Sequence, residues 1–593
     1  MIKNYGCILF SSVRREFMKK IVFLTIFLLL PPAVTAPGGY QFGIVLFLQS
    51  AAPSELANQN NSGLYVNSIE RMMRLDDEEI DLATAALLLS RQAGADIHYR
   101  RYRRQIDDMA YAVLDKLAEQ ELEPDHRAIR IINQHLFEEL GFKAVKTADD
   151  PKDLFLHYVL DRKKGYCLSL SVLYLSIGER LGLPLYGVVV PEHFFVRYDD
   201  GHVRFNIETT SQGNTPPDKH YLAEFDVPTG ADSIYMKNLS KKETLSCFFN
   251  NLGNIYQGLG DVDSALILLE RAVKITPQLA MVHTNLGNLY LKQGRTEDAI
   301  YEYRTALEIH PDEAKTHNNL GNAYFTLAQT PNDAFDVSGP AAAGLDAAVF
   351  EYTLALRLDP NYVDTYKNLA RVYIKQDWFE EAIMQLNEAM VLEPKDSTVY
   401  RLLGDAYREM GDSSQAITNY NKALLLKADS VEAYYGLALT YRALGLLDEE
   451  IGAYKQLLNI GQSLSARKPE RQRSRQYILG ALQNLGTAYI DKRMYDAAIE
   501  QFKKAVSIKP DDAVLHYNLG VVYSKKQNYA SAAAEYSAAV KLKADLAAAH
   551  NGLAACYYFL EKYDLAWKHI NTARQLGFEI PEDLYRILSM KRK

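Results

Sequence analysis

Cysteine is scarce in this chain: four in 593 residues, at Cys7, Cys167, Cys247 and Cys556. No two of them stand at CxxC or any other metal-type spacing, so neither a disulfide framework nor a bound metal is expected, and no cofactor is assigned. Charge of one sign is lacking as well. A net charge of −8 gives no reason to expect nucleic acid or an anionic membrane as a partner. The local basic run HYRRYRRQ (98–105) reads as the solvated face of a helix. Long apolar runs are missing too. Neither the run within residues 18–36 nor that within 42–52 reaches the ~18–20 residues a spanning helix needs.

What the N-terminus does have is a basic start, ten apolar residues and small residues after them, with Met18 as a start for the segment. That is the layout of a secretory signal. Pro37 directly after Ala36 hinders cleavage there. The leader (1–53) is therefore expected to direct export to a periplasmic or extracellular space, either cleaved or kept as a membrane tether. The composition, 48% apolar and 24% charged, is that of a globular protein, and the length calls for two or more domains.

The second half keeps a 34-residue clock. Leucines recur at 252, 286, 320, 369, 403, 437, 485, 519 and 553, and the two irregular intervals, 49 and 48, are 34 plus an insertion. A tyrosine stands four residues after each leucine, from Tyr256 to Tyr557, and small residues such as Ala265 and Ala272 mark the second helix of the units. Pro277, Pro311, Pro360, Pro394 and Pro510 close units. This pattern closely resembles the tetratricopeptide repeat, in nine copies over residues 245–580, followed by a tail at 581–593. Each unit is two amphipathic helices that cannot bury their apolar faces alone, so neighbours stack into a superhelix. Cys247 and Cys556 fall at packing positions. The insertion at 328–346 reads as a Pro/Gly loop, and the basic one at 461–476 as a solvated excursion.

Asparagine precedes the leucine at Asn251, Asn285, Asn319, Asn368, Asn484 and Asn518, with another one turn on at Asn254, Asn288 and Asn322. Asparagine is a mediocre helix former, so propensity does not account for it. Its amide both donates and accepts. A ladder of such groups along the concave face is suited to gripping the backbone of a protein or peptide partner; the alternative is hydrogen bonding within the solenoid. The ladder resembles that of O-linked N-acetylglucosamine transferases, although no glycosyltransferase domain is present.

Residues 64–235 do not repeat. Helical periodicity runs through 76–92, with Asp76 or Asp77 as its cap, and through 96–120 and 126–142. Gly165 and Tyr166 then lead into Cys167 and a helix ending near Gly182. A cysteine in a first helical turn feels the positive end of the helix dipole, which favours a thiolate. Residues 191–210 read as two strands around Asp200-Gly201, with opposite positions summing to 401. That register puts Phe194 opposite Ile207, Val196 opposite Phe205 and His193 opposite Glu208, at the cost of Arg197 facing Arg204. A thiol at a helix start and a His–carboxylate pair on adjacent strands are the parts of a nucleophilic site. Ser169 and Ser171, with no base of their own, read as packing.

The segments LFEELGF, LDRKKGYCLSLSVLYL, RLGLP, PEHFFVRY and IETT resemble, in this order over residues 75–212, a bacterial branch of the transglutaminase-like superfamily. The resemblance implies a papain-like α+β fold. It also implies Cys167 as nucleophile, His193 as base and Glu208, where the family pattern has aspartate, as the group orienting the imidazole. The chain is thus expected to be mostly α, with a transglutaminase-like domain and a C-terminal α-solenoid. The function expected is a thiol hydrolase or acyltransferase joined to a partner-binding array, with an inactive scaffold as the alternative.

Overall fold

The structure, a computed structural model, describes residues 62–92, 97–145, 150–228, 233–329, 340–464 and 468–591. The expectations for the leader lie outside these residues. No helix among the described residues is long and apolar enough to cross a membrane.

The N-terminal part builds helices α1 (Leu82–Gln92), α2 (Tyr99–Glu119), α3 (Ala128–Asn133), α4 (Leu156–Arg162) and α5 (Cys167–Leu181) around a small amount of sheet. Strands β1 (Lys143–Ala144) and β2 (Lys164–Gly165) pair in parallel just before α5. Strands β3 (Leu185–Val190), β4 (His193–Asp199) and β5 (Arg204–Ile207) form an antiparallel sheet in that order. A short helix, α6 (Asp218–Glu224), follows. Helix α5 is the centre of this arrangement, with Leu168 through Gly178 buried on every side. An all-round apolar sequence such as LSLSVLYLSIG belongs to such a position.

Two helical expectations change. The segment from 76 opens with a 3-10 turn over Asp77–Glu79, and α1 begins only at Leu82. Its cap is Asp81, whose Oδ1 accepts from the Thr84 N–H at 2.7 Å. Asp77 instead serves the far end of the chain, accepting the backbone N–H groups of Lys241 and Lys242 at 2.9 Å each. These are the first residues of α7 (Lys241–Leu259), so an acid expected to cap a local helix caps the first helix of the solenoid. The segment 126–142 passes from α3 into a π-helical turn over Gln134–Glu139.

The hairpin register also differs. Val196 pairs with Ile207, Arg197 with Asn206 and Tyr198 with Phe205, so opposite positions sum to 403 rather than 401. Asp200 lengthens the loop, its Oδ1 accepting from the N–H groups of both His202 and Val203. The like-charge cost disappears, because Arg197, fully buried, donates to Asn206 and Asp218 at 2.8 and 2.9 Å. A shift of two residues preserves which face each side chain takes. His193 and Glu208 stay on one face, but no longer directly opposite.

From α7 onward the described chain is helical. Helices alternate in pairs, starting with α7 and α8 (Val262–Ile275) and ending with Ala547–Phe559 and Tyr563–Gln575. The basic insertion is not an excursion: helices Leu447–Leu464 and Lys468–Asp491 extend into it. Pro469 falls in the first turn of the second, where its missing N–H costs nothing. Of the first insertion, expected as a loop over 328–346, residues 330–339 lie outside the described residues, and 340–346 are helical instead, opening helix Pro340–Leu358. The apolar core of the N-terminal part is continuous with that of the first solenoid units. One cluster runs from Ile69 through α5 and β4 into α7, α8 and as far as Ala323.

Within the units a glycine one residue after the leucine admits the aromatic of the second helix. A Cβ at Gly321 would lie 2.6 Å from the Tyr352 ring, and one at Gly404 would lie 2.7 Å from Tyr420. Gly452, inside Leu447–Leu464, would meet nothing within 4 Å. Opposite outcomes are therefore expected from one substitution type. Gly452→Ala raises the thermal midpoint, by the ~1 kcal/mol of helix propensity. Gly321→Ala lowers it, because the clash costs about 1–3 kcal/mol. Thermal unfolding of the two variants checks the contrast.

Candidate active site

The turn into α5 is set by local chemistry. Gly165 has no room for a side chain, since a Cβ would stand 2.6 Å from Ser169 Oγ. Tyr166 is extended, its N–H donates to Ser169 Oγ at 2.9 Å, and that hydroxyl donates to the Asp153 carbonyl at 2.8 Å. Ser169 therefore packs and also clamps the turn that presents Cys167 in the first turn of α5. Ser171, also buried, pairs with Thr209 at 3.0 Å. Cys167 is half-buried, whereas Cys247 and Cys556 are buried, and burial pushes those thiols up to about 12 and about 11.

Strand β4 carries His193 to the mouth of this turn. His193 Nε2 lies 2.7 Å from Glu208 Oε2. In the observed register Glu208 falls across from Phe195, one position past the last strand pair, so it reaches His193 along a diagonal. Diagonal neighbours lie ~7–8 Å apart. The methylene by which glutamate exceeds aspartate spans that diagonal. Glu208 is buried and also accepts from the Tyr221 hydroxyl and the Thr210 N–H, at 3.0 Å each. Burial alone would raise its carboxyl, but the bonds from His193 and Thr210 hold it low.

The second face of the imidazole is covered. Phe225 stacks on His193 at 5.2 Å with 5° between the planes, and Tyr221 stacks on Phe195 at 3.8 Å. Burial pulls the imidazole down, yet hydrogen bonds to Cys167 and Glu208 outweigh it and raise His193 to about 10. Glu208 occupies Nε2, so Nδ1 is the nitrogen left for Cys167. The structure therefore brings Cys167, His193 and Glu208 together. Tyr221, Thr210 and Phe225 complete the surroundings and were missed by sequence reasoning; the cue was the aromatic spacing of HYLAEF, which lies beyond the motif segments.

Histidine–carboxylate pairs recur in the solenoid without a thiol. His283–Glu302, His317–Glu351 and His516–Glu535 close at 2.6, 2.6 and 2.7 Å, each with the other ring nitrogen on the carbonyl of Pro277, Pro311 or Pro510. These brackets join helices. Two 34-residue intervals, His283 to His317 and His516 to His550, were the signal for them. What distinguishes His193 is Cys167.

The asparagines of the clock position are half-buried, and all but Asn518 have hydrogen bonds inside the solenoid. Asn285 donates to Asn250, Asn319 to Asn288 and Asn368 to Asn318, at 2.8, 3.0 and 3.1 Å. Asn484 donates to the Tyr435 and Tyr454 hydroxyls, and Asn251 accepts from Asn250. Asn288 and Asn322 accept from the Tyr303 and Tyr352 hydroxyls, while Asn254 is exposed and Asn518 half-buried. The donations of Asn285, Asn319 and Asn368 each use one of the amide's two N–H groups, whereas Asn251, Asn288 and Asn322 accept through Oδ1. Asn250 and Asn318, one residue before the clock position, were not anticipated as hubs.

Residues 100–226 match the transglutaminase-like superfamily. Tetratricopeptide repeats match at 253–294, 287–327, 351–384, 404–445, 486–527 and 513–546. The chain carries a transglutaminase-like domain followed by tetratricopeptide repeats. Among relatives, the UPF0162 protein of Xylella fastidiosa (strain 9a5c) is 28% identical over 214 residues, 34% of this chain and 74% of that protein. F-box only protein 21 of Mus musculus is 35% identical over 82 residues, 14% of this chain and 13% of its own length. Among solved structures, a thermophilic TPR protein of Thermus thermophilus shares 25% identity, with a TM-score of 0.29, over 33% of this chain and 98% of its own. A tetratricopeptide repeat protein of Parabacteroides merdae shares 16%, with a TM-score of 0.34, over 47% and 98%.

The raised His193 has a readable consequence. Its folded value lies above the ~6.5 of an unfolded histidine, so the stability it contributes is complete below that pH and lost as pH rises through about 10. An NMR titration of the His193 ring should show an imidazolium persisting past pH 8. In Glu208→Gln the midpoint should fall by more than about one pH unit, and in Glu208→Asp likewise, because the shorter acid does not span the diagonal.

Proposed function

We propose that the chain is a partner-binding repeat protein whose transglutaminase-like domain transfers acyl groups through Cys167. The observation that carries this reading is His193 Nε2 lying 2.7 Å from Glu208 Oε2 beside the turn that presents Cys167, with Cys167 and Glu208 raising the imidazole against its burial. A cation beside a thiol at a helix N-terminus favours the thiolate. Sγ attacks the carbonyl carbon of an amide or ester, and His193 gives its proton to the departing amine or alcohol. The thioester left on Cys167 is then attacked by water or an amine, His193 takes the proton from that nucleophile, and the thiol is released. Glu208 keeps the ring oriented and stabilises its charge throughout. The backbone N–H groups at the start of α5 are the nearest donors for the oxyanion.

The solenoid supplies the partner-binding half. Asn285, Asn319 and Asn368 each donate one amide N–H inside the array and have a second, which is the capacity needed to meet a peptide backbone. Export through the leader belongs to the same reading, and mass spectrometry of the native N-terminus tests it directly.

The rival is a scaffold in which the thiol site is only structural; the solenoid's own histidine–carboxylate brackets favour it. Iodoacetamide labelling separates the two. At pH 6 Cys167 should react at least about ten-fold faster than a free thiol, and His193→Ala should abolish the advantage. Labelling of Cys167 no faster than glutathione, unchanged in His193→Ala, would establish the scaffold reading.

A further inference from the structure

The first helices of successive units carry one cavity of about 380 Å³ in the middle of the array. Its lining includes Arg371, Thr398, Arg401, Lys427, Glu432 and Tyr477. Three cations meet in it with two carboxylates, Asp405 and Glu432, which leaves the lining an excess of one positive charge. Asp405, at its wall, is paired with Arg401 and accepts from the Tyr420 hydroxyl at 2.7 Å. Helices Ser397–Met410 and Val431–Ala443 both begin there; the carboxylate of Asp396 caps the first, whereas the neutral Ser430 caps the second and leaves its positive end to add to the lining. Lys427 is exposed on the turn between units. Arginine forks of this kind suit carboxylate groups, which they bind through two parallel hydrogen bonds.

Repeat-equivalent positions relate the cavity to the surroundings of the thiol site. Thr398 and Glu432 each stand five residues before the clock leucine of their unit, and Lys315 stands five before Leu320. By the repeat, these three positions are equivalent. Lys315 is ion-paired with Glu192, the residue directly before His193. Two units earlier than the cavity, the equivalent position therefore abuts the mouth of the site. His310, in the turn before Lys315, lies 3.4 Å from Asp226, directly after the Phe225 that covers the imidazole.

We propose that this cavity anchors an acidic stretch of the polypeptide on which the thiol site acts, with the inner rim of the solenoid leading from the anchor to Cys167. The second half of this proposal rests on the acyl-transfer reading; the anchoring half does not. A fluorescent octaglutamate peptide should bind the full chain, octaglutamine should not, and Lys427→Glu should weaken octaglutamate about ten-fold. Arg371→Gln should act in the same direction. Because Lys427 is exposed, its variant keeps the fold. Next, each peptide is given a chloroacetyl group on a Gly-Ser linker, so that Sγ displaces chloride and forms a thioether. The acidic version should label Cys167 faster than the glutamine version in the wild type, and equally fast in Lys427→Glu.

Equal binding of the two peptides, or binding indifferent to Lys427→Glu, overturns the anchor. Selective binding without faster labelling overturns the route along the inner rim. A Cys167 that fails to react even with iodoacetamide sinks the acyl-transfer reading instead, while the binding measurements still judge the cavity.

Discussion

Everything in this molecule that acts together is held by one buried helix, α5, whose two ends serve different purposes. Its first residue is Cys167. Near its other end Arg180 is buried between Asp107, at 2.5 Å, and Asp81, at 3.3 Å, while Glu179 meets Lys241 of α7. Lys241 also donates from Nζ to the Ile80 carbonyl at 2.6 Å. Charges buried this deeply persist only when paired, and removing one partner costs about 3–5 kcal/mol. The helix therefore cannot shift along its axis without unpairing charges that also fix α1, α2 and the start of the solenoid. Cys167 stands where it does because Arg180 and Glu179 cannot move.

That constraint explains why the thiol domain and the repeats share a core. A solenoid's first unit normally presents an unsatisfied apolar face that must be capped. Here the cap is the N-terminal domain itself. Phe248, Phe249 and Leu252 of α7 are buried in the same cluster as Leu87, Val172 and Phe194. Ion pairs of Arg271 with Glu70 and of Lys315 with Glu192 add specificity at the rim rather than much stability.

The repeat and the order of chemical groups were legible from the residues because both are local. A period of 34 survives any packing detail, and a thiol after Gly-Tyr at the head of an apolar run specifies its own turn. The hairpin was legible only in its faces. The alternation of Phe194, Val196 and Tyr198 fixes which side is buried, but not the pairing, which Asp200 sets by accepting two loop N–H groups. The role of Glu208 as a diagonal partner followed from that shift and was invisible beforehand. Asp77 shows the other limit: an acid ahead of a helix looks like its cap, and nothing in the local sequence tells that α7, more than 160 residues on, claims it. The basic insertion read as an excursion from its charge, although Arg, Gln and Glu are also good helix formers, and the flanking helices run into it.

The claim on which all of this rests is that α5 and the first solenoid helices open as one cooperative unit. Native-state hydrogen exchange on the full chain, followed with increasing denaturant, measures it most directly. The account predicts that amides of Val172–Ile177 in α5 and of Phe248–Leu252 in α7 converge on one opening free energy, and that Lys241→Met lowers both together. Exchange of α7 by an independent, lower-energy opening, with α5 unaffected by Lys241→Met, would contradict it.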